Sequence, residues 1–130
     1  ARNPELVQRF YNERRKNILN AQPNLAHRLI AELEDDFDVQ VITQNIDDLH
    51  ERAGSSEVLH LHGNIRLAKS SGPHAQYTTE FFPIEGDSLN LQQDLCPQGY
   101  PLRPHVVWFG EMPLLLDRIY QFLPMKKHWI

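Results

Sequence analysis

The chain concentrates hydrogen-bonding side chains directly after a short apolar segment. Residues 39–43, with the sequence VQVIT, have the β-branched content of a buried strand. Gln44, Asn45 and Asp47 follow that segment at once. Amide and carboxylate groups at the end of a strand can bind the polar groups of a ligand, although Asn and Asp are also common turn and N-cap residues there.

Two further strand ends carry chemically active side chains. The segment 58–63, VLHLHG, ends with His62, and the segment 105–109, HVVWF, leads to Glu111. A neutral imidazole can act as a base near pH 7 because its unperturbed pKa is about 6.5. A lone histidine at a strand end is more often structural, but three polar strand ends at one edge of a sheet favour a ligand site. His60 is expected on the opposite face of its strand, in a structural role.

The segments around these strands predict an α/β fold. Asn3 as N-cap and Pro4 at the first helical position begin an amphipathic helix, with Arg and Glu opposite an apolar face made by Leu6, Val7, Phe10, Tyr11, Ile18 and Leu19. Further helices are predicted over residues 22–36, 47–54 and 113–123. Helices that alternate with strands are typical of an α/β protein with a parallel sheet. Residues 64–104 are too long for an ordinary connection and are expected to form a functional loop or a small inserted module.

Composition narrows the classes of partner. The chain has 130 residues, 41% of them apolar and 23% charged, which describes one globular domain of ordinary composition. Its formal charge of −4 argues against a nucleic-acid partner. No apolar run reaches the roughly 20 residues of a membrane span, so no membrane association is expected. The single cysteine suits a reducing compartment, and a cytoplasmic location is the expectation.

Three ordered motifs resemble a known family. TQNIDDLHERAG (43–54), LHLHG (59–63) and RPHVVWFGE (103–111) are similar to the core of the sirtuins, NAD-dependent protein-lysine deacylases, and bacterial members in particular. PNLAH, residues 23–27, matches the helix that precedes the first of these motifs, and the resemblance extends from about Asn3 to Leu123. It implies part of a Rossmann-like parallel sheet with flanking helices, formed by residues 1–63 and 105–130, and a small inserted module over residues 64–104.

The resemblance implies an NAD site and a catalytic base. Gln44, Asn45, Ile46 and Asp47 match the NAD-contacting QNID motif, in which Asp47 would hold the nicotinamide carboxamide while Gln44 and Asn45 reach the ribose. His62 matches the catalytic histidine. In the family mechanism the acyl oxygen of the modified lysine attacks the ribose carbon that bears nicotinamide, and the histidine then acts as general base on a ribose hydroxyl. We therefore expect His62 and Asn45 to be catalytic.

The resemblance also implies a docking segment for acylated-lysine proteins or peptides. Residues 106–111 match the segment beside which an extended peptide adds itself as a strand. Val107 and Phe109 would flank the stem of the acyl-lysine, and Gly110 and Glu111 would complete the segment. The alternative, that these residues only form a core strand, stays open.

Tyr11 and Arg14 match a pair by which one sirtuin class recognises acidic acyl groups. They stand at i and i+3, hence on one face of the predicted helix. A guanidinium beside a phenol suits a carboxylate, so succinyl-lysine and malonyl-lysine become expected substrates beside acetyl-lysine. The alternative places Arg14 on a solvated face and Tyr11 in the core.

The chain departs from the family pattern at the structural zinc that many members hold with two Cys-x-x-Cys pairs. Only Cys96 is present, and one thiolate cannot build a closed four-ligand site. We therefore expect no bound metal, and a module held by its own packing around Tyr77, Phe81 and Phe82.

The Gly-rich turn that receives the pyrophosphate and the later Gly-Thr-Ser segment of the family are also missing. The chain is therefore expected to be the central part of a longer enzyme. Two other functions stay open beside the deacylase. One is a non-catalytic module that binds acyl-peptides or part of a nucleotide, and the other is an NAD-linked ADP-ribosyltransferase.

Overall fold

A computed structural model describes residues 3–75, 80–108 and 110–111. The helices are α1 (Pro4–Asn20), α2 (Leu25–Glu32) and α3 (Leu49–Ala53), with short 3₁₀ helices at Leu33–Asp35 and Pro73–Ala75. The strands are β1 (Val41–Thr43), β2 (Val58–His60), β3 (Gly63–Ser70), β4 (Phe82–Pro83) and β5 (Leu102–Val106). Within this described part, no helix is both long enough and apolar enough to cross a bilayer. The helix predicted over residues 113–123 lies outside the described residues.

The first half of the chain forms the predicted α/β arrangement. Helix α1 begins as expected, because Asn3 Oδ1 accepts a hydrogen bond of 3.1 Å from the Leu6 N–H. Strands β1 and β2 pair in parallel, with Thr43 opposite His60. Between them α3 ends at Gly54, whose φ of 113° is left-handed. The mixed α/β fold with a parallel pair of strands is therefore confirmed.

The second half of the chain forms an antiparallel sheet that the sequence did not predict. Its strand order is β4-β3-β5. The strand predicted over residues 58–63 ends at His60, and β3 begins at Gly63 after the turn at Leu61 and His62. Residues 64–70 belong to the stretch predicted as a loop or inserted module, although Ile65 and Leu67 alternate with polar residues as they do in a strand.

The third predicted strand was wrong in both its position and its direction. It was expected at residues 105–109 of a parallel sheet, but β5 occupies Leu102–Val106 and runs antiparallel to β3. Pro104 lies within it, at a shift in register where Ala68 pairs with Pro104 while Asn64 pairs with His105. Proline has no N–H to donate, so an edge strand with such an irregularity tolerates it.

The main buried cluster lies in this second half. It consists of Ala68, Ile84 and Leu89, with Leu102 packed against it. The cluster is aliphatic, whereas the sequence suggested packing around aromatic residues. Of those, Phe81 stacks on His105 with ring centroids 3.8 Å apart, and Tyr77 lies outside the described residues.

Helix α1 presents a polar stripe to the rest of the chain. The stripe consists of Gln8, Asn12 and Arg15, at i, i+4 and i+7, and it binds main-chain groups. Gln8 Nε2 donates to the Leu102 carbonyl at 3.0 Å. Asn12 binds both main-chain groups of Leu89, donating to its carbonyl at 3.0 Å and accepting from its N–H at 2.9 Å. One helix face therefore fixes two distant segments of backbone.

Arg15 is the fully buried member of this stripe. Its guanidinium donates to the carbonyls of Ile65 at 2.8 Å and Asp87 at 3.1 Å, and to Asn12 Oδ1 at 2.9 Å. Burial lowers the pKa of Arg15 to about 10, and the charge of Arg66 adds to that effect. The guanidinium still carries its charge near pH 7. Oxygen atoms bind its Nε and Nη1, whereas its buried Nη2 has no hydrogen-bond partner among the described residues.

The apolar face predicted for α1 is therefore wrong at its first turns. Leu6 is 55% exposed and Phe10 is 51% exposed, whereas Gln8 and Arg15 are buried. The polar stripe occupies the buried face of α1 because main-chain groups of the second half need hydrogen-bond partners there. Amide and guanidinium groups can supply those hydrogen bonds, whereas apolar side chains cannot.

His60 ties α3 and the turn after β1 to strand β2. Its Nε2 lies 2.7 Å from Glu51 Oε2, and its Nδ1 lies 3.0 Å from the Asn45 carbonyl oxygen. Both partners are acceptors, so the protonated ring, with two N–H donors, satisfies both. Burial lowers the pKa of His60, but these hydrogen bonds and the nearby carboxylates outweigh it and raise the pKa above 6.5. This agrees with the structural role expected for His60.

Replacing Gly63 by Ala should destabilise the complete protein that carries this sequence by at least about 3 kcal/mol in urea unfolding. Gly63 has φ +96°, and a Cβ there would overlap the His105 carbonyl and lie 2.8 Å from Val106 Cα. Gly99→Ala is the matched control, because Gly99 has φ +89° but nothing within 4 Å of an added Cβ. It should lose only about 1 kcal/mol from backbone strain. Equal losses in the two variants would contradict the close approach.

Replacing Glu51 by Gln should lower the free energy of unfolding by about 1 kcal/mol, discounted because the Glu51 side chain is 37% exposed. The pKa of Glu51 is lowered, although burial opposes this, since His60 hydrogen-bonds to it. The stabilisation from Glu51 is therefore lost as pH falls through that lowered value, and the stabilisation from the raised pKa of His60 is lost as pH rises through the raised value. The difference between wild type and variant should be largest between pH 4.5 and 6.5, the unshifted values. A difference that grows above this window would exclude the protonated pair.

Candidate functional site

A cavity of about 760 Å³ opens between α1 and the segment that follows β5. Its wall is mainly apolar and contains few polar side chains, as is typical of sites that hold an apolar ligand stem. The residues that line it are Leu6, Val7, Phe10, Tyr11, His62, Val107, Trp108, Gly110 and Glu111.

His62 lies in this wall at the turn between β2 and β3. Its carbonyl accepts a hydrogen bond of 2.8 Å from the Val107 N–H, so the turn is joined to the start of the segment after β5. The side chain is half-buried. The cavity thus brings together five of the residues that the sequence singled out: Tyr11, His62, Val107, Gly110 and Glu111. Phe109 lies outside the described residues.

Tyr11 forms the part of the wall that α1 contributes. Its ring stacks on Trp108 with centroids 6.4 Å apart and an interplanar angle of 16°, and it meets Phe10 edge-on at 5.2 Å. Burial raises the pKa of Tyr11, while the charge of Arg103 and the indole of Trp108 oppose that rise. The phenol is therefore neutral near pH 7.

Arg14 does not line the cavity. Its side chain is exposed, and its guanidinium carbon lies 5.2 Å from the centre of the Phe10 ring. Phe10 therefore contacts both Tyr11 and Arg14, the two members of the predicted acyl-recognition pair. Within the described residues, Arg14 has no carboxylate partner.

The QNID turn lies beside His62 without forming part of the cavity wall. The carbonyl of Thr43 accepts from the Leu61 N–H at 2.9 Å, and the carbonyl of Ile46 accepts from the Ile65 N–H at 2.9 Å. These two bonds hold the backbone on both sides of the turn that contains His62. The two motifs are therefore neighbours along the carboxyl ends of β1 and β2.

The side chains of this turn differ in whether they already form hydrogen bonds within the protein. Asp47 Oδ1 accepts from the Leu49 N–H at 3.0 Å and so helps to start α3. Gln44 and Asn45 are exposed, and neither side-chain amide is hydrogen-bonded within the part of the chain that the structure describes. The main chain of Asn45 is fixed by Thr43 Oγ1 and by His60. Two exposed amides without a protein partner in the described part of the chain are therefore available to a ligand.

Glu111 closes a tight turn at the far end of the wall. Its Oε1 accepts from the Trp108 N–H at 2.8 Å, its own N–H donates to the Trp108 carbonyl at 3.0 Å, and Gly110 between them has φ 87°. Its two carboxylate oxygens also accept from Arg103, at 2.8 and 3.0 Å. Glu111 lines the cavity as expected, but its carboxylate is already engaged by protein.

Sequence reasoning missed several residues of this site. The sequence predicts Leu6 and Phe10 on the apolar face of the helix, but their i, i+4 spacing is equally that of a cavity wall at the end of a helix. Trp108 belongs to the predicted docking segment, but a role in a core strand stayed open for it and no contact with a ligand was predicted. Arg103 begins one of the motifs, but its pairing with Glu111 was not predicted, because Glu111 stands eight positions away and meets it only through the turn after β5.

The surroundings of β5 are electropositive. Lys69 pairs with Arg103 across the sheet, and His105 is buried near both. Burial and these two charges lower the pKa of His105 to about 4, so its ring is neutral near pH 7.

Across residues 3–75, 80–108 and 110–111, no three His, Cys, Asp or Glu side chains come together as metal ligands would.

Comparison with known proteins identifies the family. The model of the Sir2 family matches residues 1–128. An NAD-dependent protein deacylase of Aggregatibacter actinomycetemcomitans is 49% identical over 117 residues, which are 89% of this chain and 53% of that protein. An NAD-dependent protein deacylase of Helicobacter pylori is 48% identical over 120 residues, 91% of this chain and 49% of that protein. The chain spans about half the length of the curated relatives it matches.

Solved structures agree with this match. A Sir2 homologue in complex with NAD matches 93% of this chain and 47% of its own, with a TM-score of 0.77 and 43% identity. A Sir2 structure in complex with an inhibitor, 2′-O-acetyl-ADP-ribose and a deacetylated p53 peptide matches 94% of this chain and 51% of its own, with a TM-score of 0.70 and 37% identity. Since the family match covers nearly every residue and the fold agrees with it, this chain belongs to the Sir2 family.

Proposed function

We propose that the protein carrying this chain is an NAD-dependent protein-lysine deacylase, with acylated-lysine proteins or peptides as substrates and NAD as co-substrate. The observation that carries the proposal is the position of His62, in the wall of an apolar cavity and beside a turn with two unsatisfied amides. The names of the deacylase relatives support it. Residues 1–63 and 105–130 would belong to the NAD-binding domain, and residues 64–104 to an inserted module.

The cavity suits the stem of an acyl-lysine. Phe10, Tyr11 and Val107 offer apolar surface to the methylene groups, and burial of that stem contributes about 0.8 kcal/mol for each CH₂ group. The acyl end would then lie near His62. NAD supplies the ribose carbon that the acyl oxygen attacks, with release of nicotinamide.

The chain's own residues would bind the co-substrate and move one proton. Gln44 and Asn45 would donate hydrogen bonds to the ribose, and the second oxygen of Asp47 would accept from the carboxamide of the nicotinamide. The imidazole of His62 would take the proton of a ribose hydroxyl. An imidazole suits this task because it is the side chain that most often serves as a general base, and His62 lies in the wall of the cavity.

We further propose that the acyl groups include succinyl and malonyl. Arg14 is exposed, has no carboxylate partner in the described part of the chain and contacts the same Phe10 ring as Tyr11. A change of its side-chain rotamer would bring the guanidinium toward the mouth of the cavity. There it would form charge-assisted hydrogen bonds with a terminal carboxylate.

A second candidate is a module that binds acyl-peptides without turnover. The observation in its favour is that Gln44–Asp47 do not line the cavity that contains His62. Peptide binding would then need only the apolar wall. An NAD-dependent loss of the acyl mass from a peptide separates the two candidates, because binding alone leaves that mass unchanged.

His62→Ala should lower the turnover of acetylated peptide by roughly 10²-fold or more, the usual contribution of a general base, without changing the unfolding midpoint. His74→Ala is the matched control, because His74 is exposed, contacts Tyr100 and is not among the residues that line the cavity. Nicotinamide release and peptide mass, measured in the complete protein, report both steps. A His62 variant with the rate of the wild type would remove His62 from the mechanism.

Arg14→Met should reduce kcat/KM for succinylated peptide by roughly 10-fold to 100-fold and leave kcat/KM for acetylated peptide within about twofold. The reason is that only the succinyl group carries a carboxylate. Arg9→Met is the control, because Arg9 is an exposed arginine on the same helix. Competition between the two peptides in one reaction gives the ratio directly, and equal losses would reject carboxylate recognition.

A further inference from the structure

Arg103 contacts both the carboxylate and the indole of the turn that contains Trp108, Gly110 and Glu111. Its Nη1 donates to Glu111 Oε2 at 2.8 Å, and its Nη2 donates to Glu111 Oε1 at 3.0 Å and to the Val106 carbonyl at 2.8 Å. This two-point geometry is the one in which arginine binds a carboxylate most strongly. Arg103 belongs to β5, so the turn is fastened to the antiparallel sheet.

The same guanidinium also fixes the indole of Trp108. Its central carbon lies 3.6 Å from the centre of the Trp108 ring. Trp108 in turn stacks on Tyr11, and both rings line the cavity. A continuous set of contacts therefore leads from Arg103 through Trp108 to the wall that α1 contributes.

The opposite charges of Arg103 and Glu111 stabilise this arrangement. Hydrogen bonds from Arg103 lower the pKa of Glu111 to about 2, against the effect of burial and with help from the Trp108 N–H. Lys69 stands opposite Arg103 in the sheet, so Glu111 is the carboxylate that offsets two neighbouring cations. Its loss would leave Arg103 and Lys69 facing each other unshielded.

We propose that Arg103 and Glu111 are positioning residues that set the affinity for acyl-lysine peptide by holding Trp108 and the docking segment in place, an inference that rests on the proposed function. Neither residue is expected to touch the reacting atoms. The N–H of Val107, within this segment, donates to the His62 carbonyl, so an ordered segment keeps its backbone next to the residue that carries the proposed base.

Arginine is specifically required under this proposal. A lysine would keep the positive charge, but it has no planar group to lie on the indole and no fork to bind both carboxylate oxygens. Glu111→Gln, by contrast, keeps an amide oxygen that can still accept from the Trp108 N–H. Arg103→Lys and Glu111→Gln therefore separate two contributions: the two-point ion pair of Arg103 with Glu111, and the hydrogen bond of residue 111 that closes the turn.

The test measures kcat and the KM values for acetylated peptide and for NAD in the complete protein. Arg103→Met should raise the peptide KM roughly tenfold while the KM for NAD stays within about twofold. Arg103→Lys should remain close to Arg103→Met, and Glu111→Gln should raise the peptide KM by a smaller factor, roughly threefold. Arg28→Met removes an exposed charge from α2 and is the control.

Direct binding of a labelled acetylated peptide, measured by fluorescence anisotropy, distinguishes a failure of the proposed deacylase function from a failure of the positioning role. If the wild type shows no NAD-dependent deacylation, the proposed function fails, and a tenfold weaker Kd in Arg103→Met still supports the positioning role. If Arg103→Met does not fold, Glu111→Gln decides. Folded variants whose peptide KM and Kd stay within about twofold of the wild type overturn the inference, and so does a rescue by Arg103→Lys.

Discussion

The approach of Gly63 to the backbone of His105 and Val106 is the contact on which the site depends. It occurs where the chain leaves the parallel pair of strands and begins the antiparallel sheet, directly after His62. Only a residue without Cβ allows β3 to lie so close to β5 at this point, and the left-handed φ turns the chain in the same step. The bond from the Val107 N–H to the His62 carbonyl follows from this approach. The proposed base and the docking segment are therefore neighbours because two sheets meet at one glycine.

Helix α1 completes the cavity from the other side, and its two faces have separate tasks. Gln8, Asn12 and Arg15 bind backbone of the second half of the chain, while Tyr11 and Phe10 face the cavity. As a result, two large apolar side chains of α1, Leu6 and Phe10, stay more than half exposed to solvent. They are exposed because polar residues occupy the buried face of the helix, and they leave apolar surface at the mouth of the cavity.

Local signals in the sequence predicted much of the first half and part of the site. Asn3, Pro4 and Gly54 marked helix ends by their own conformational preferences, and the β-branched residues around Val41 marked a strand. The motifs also identified Tyr11, His62 and Val107, which the fold brings to one cavity. Strand β3, the direction of β5 and the pairing of Arg103 with Glu111 depend on contacts between distant residues. No local preference encodes such contacts, and Pro104 argued against the strand in which it lies.

The way in which α1 binds the loop at residues 85–89 has a consequence for how this region can change over evolution. The hydrogen bonds from Asn12 and Arg15 to this loop involve the main chain of Asp87 and Leu89, and the side chains of Glu85 and Ser88 are exposed. Exchange of those exposed residues leaves every one of these bonds in place. An inserted or deleted residue would instead shift the carbonyl and N–H groups out of phase with the helix. The loop is therefore free to vary in composition at Glu85 and Ser88, but its length is restricted.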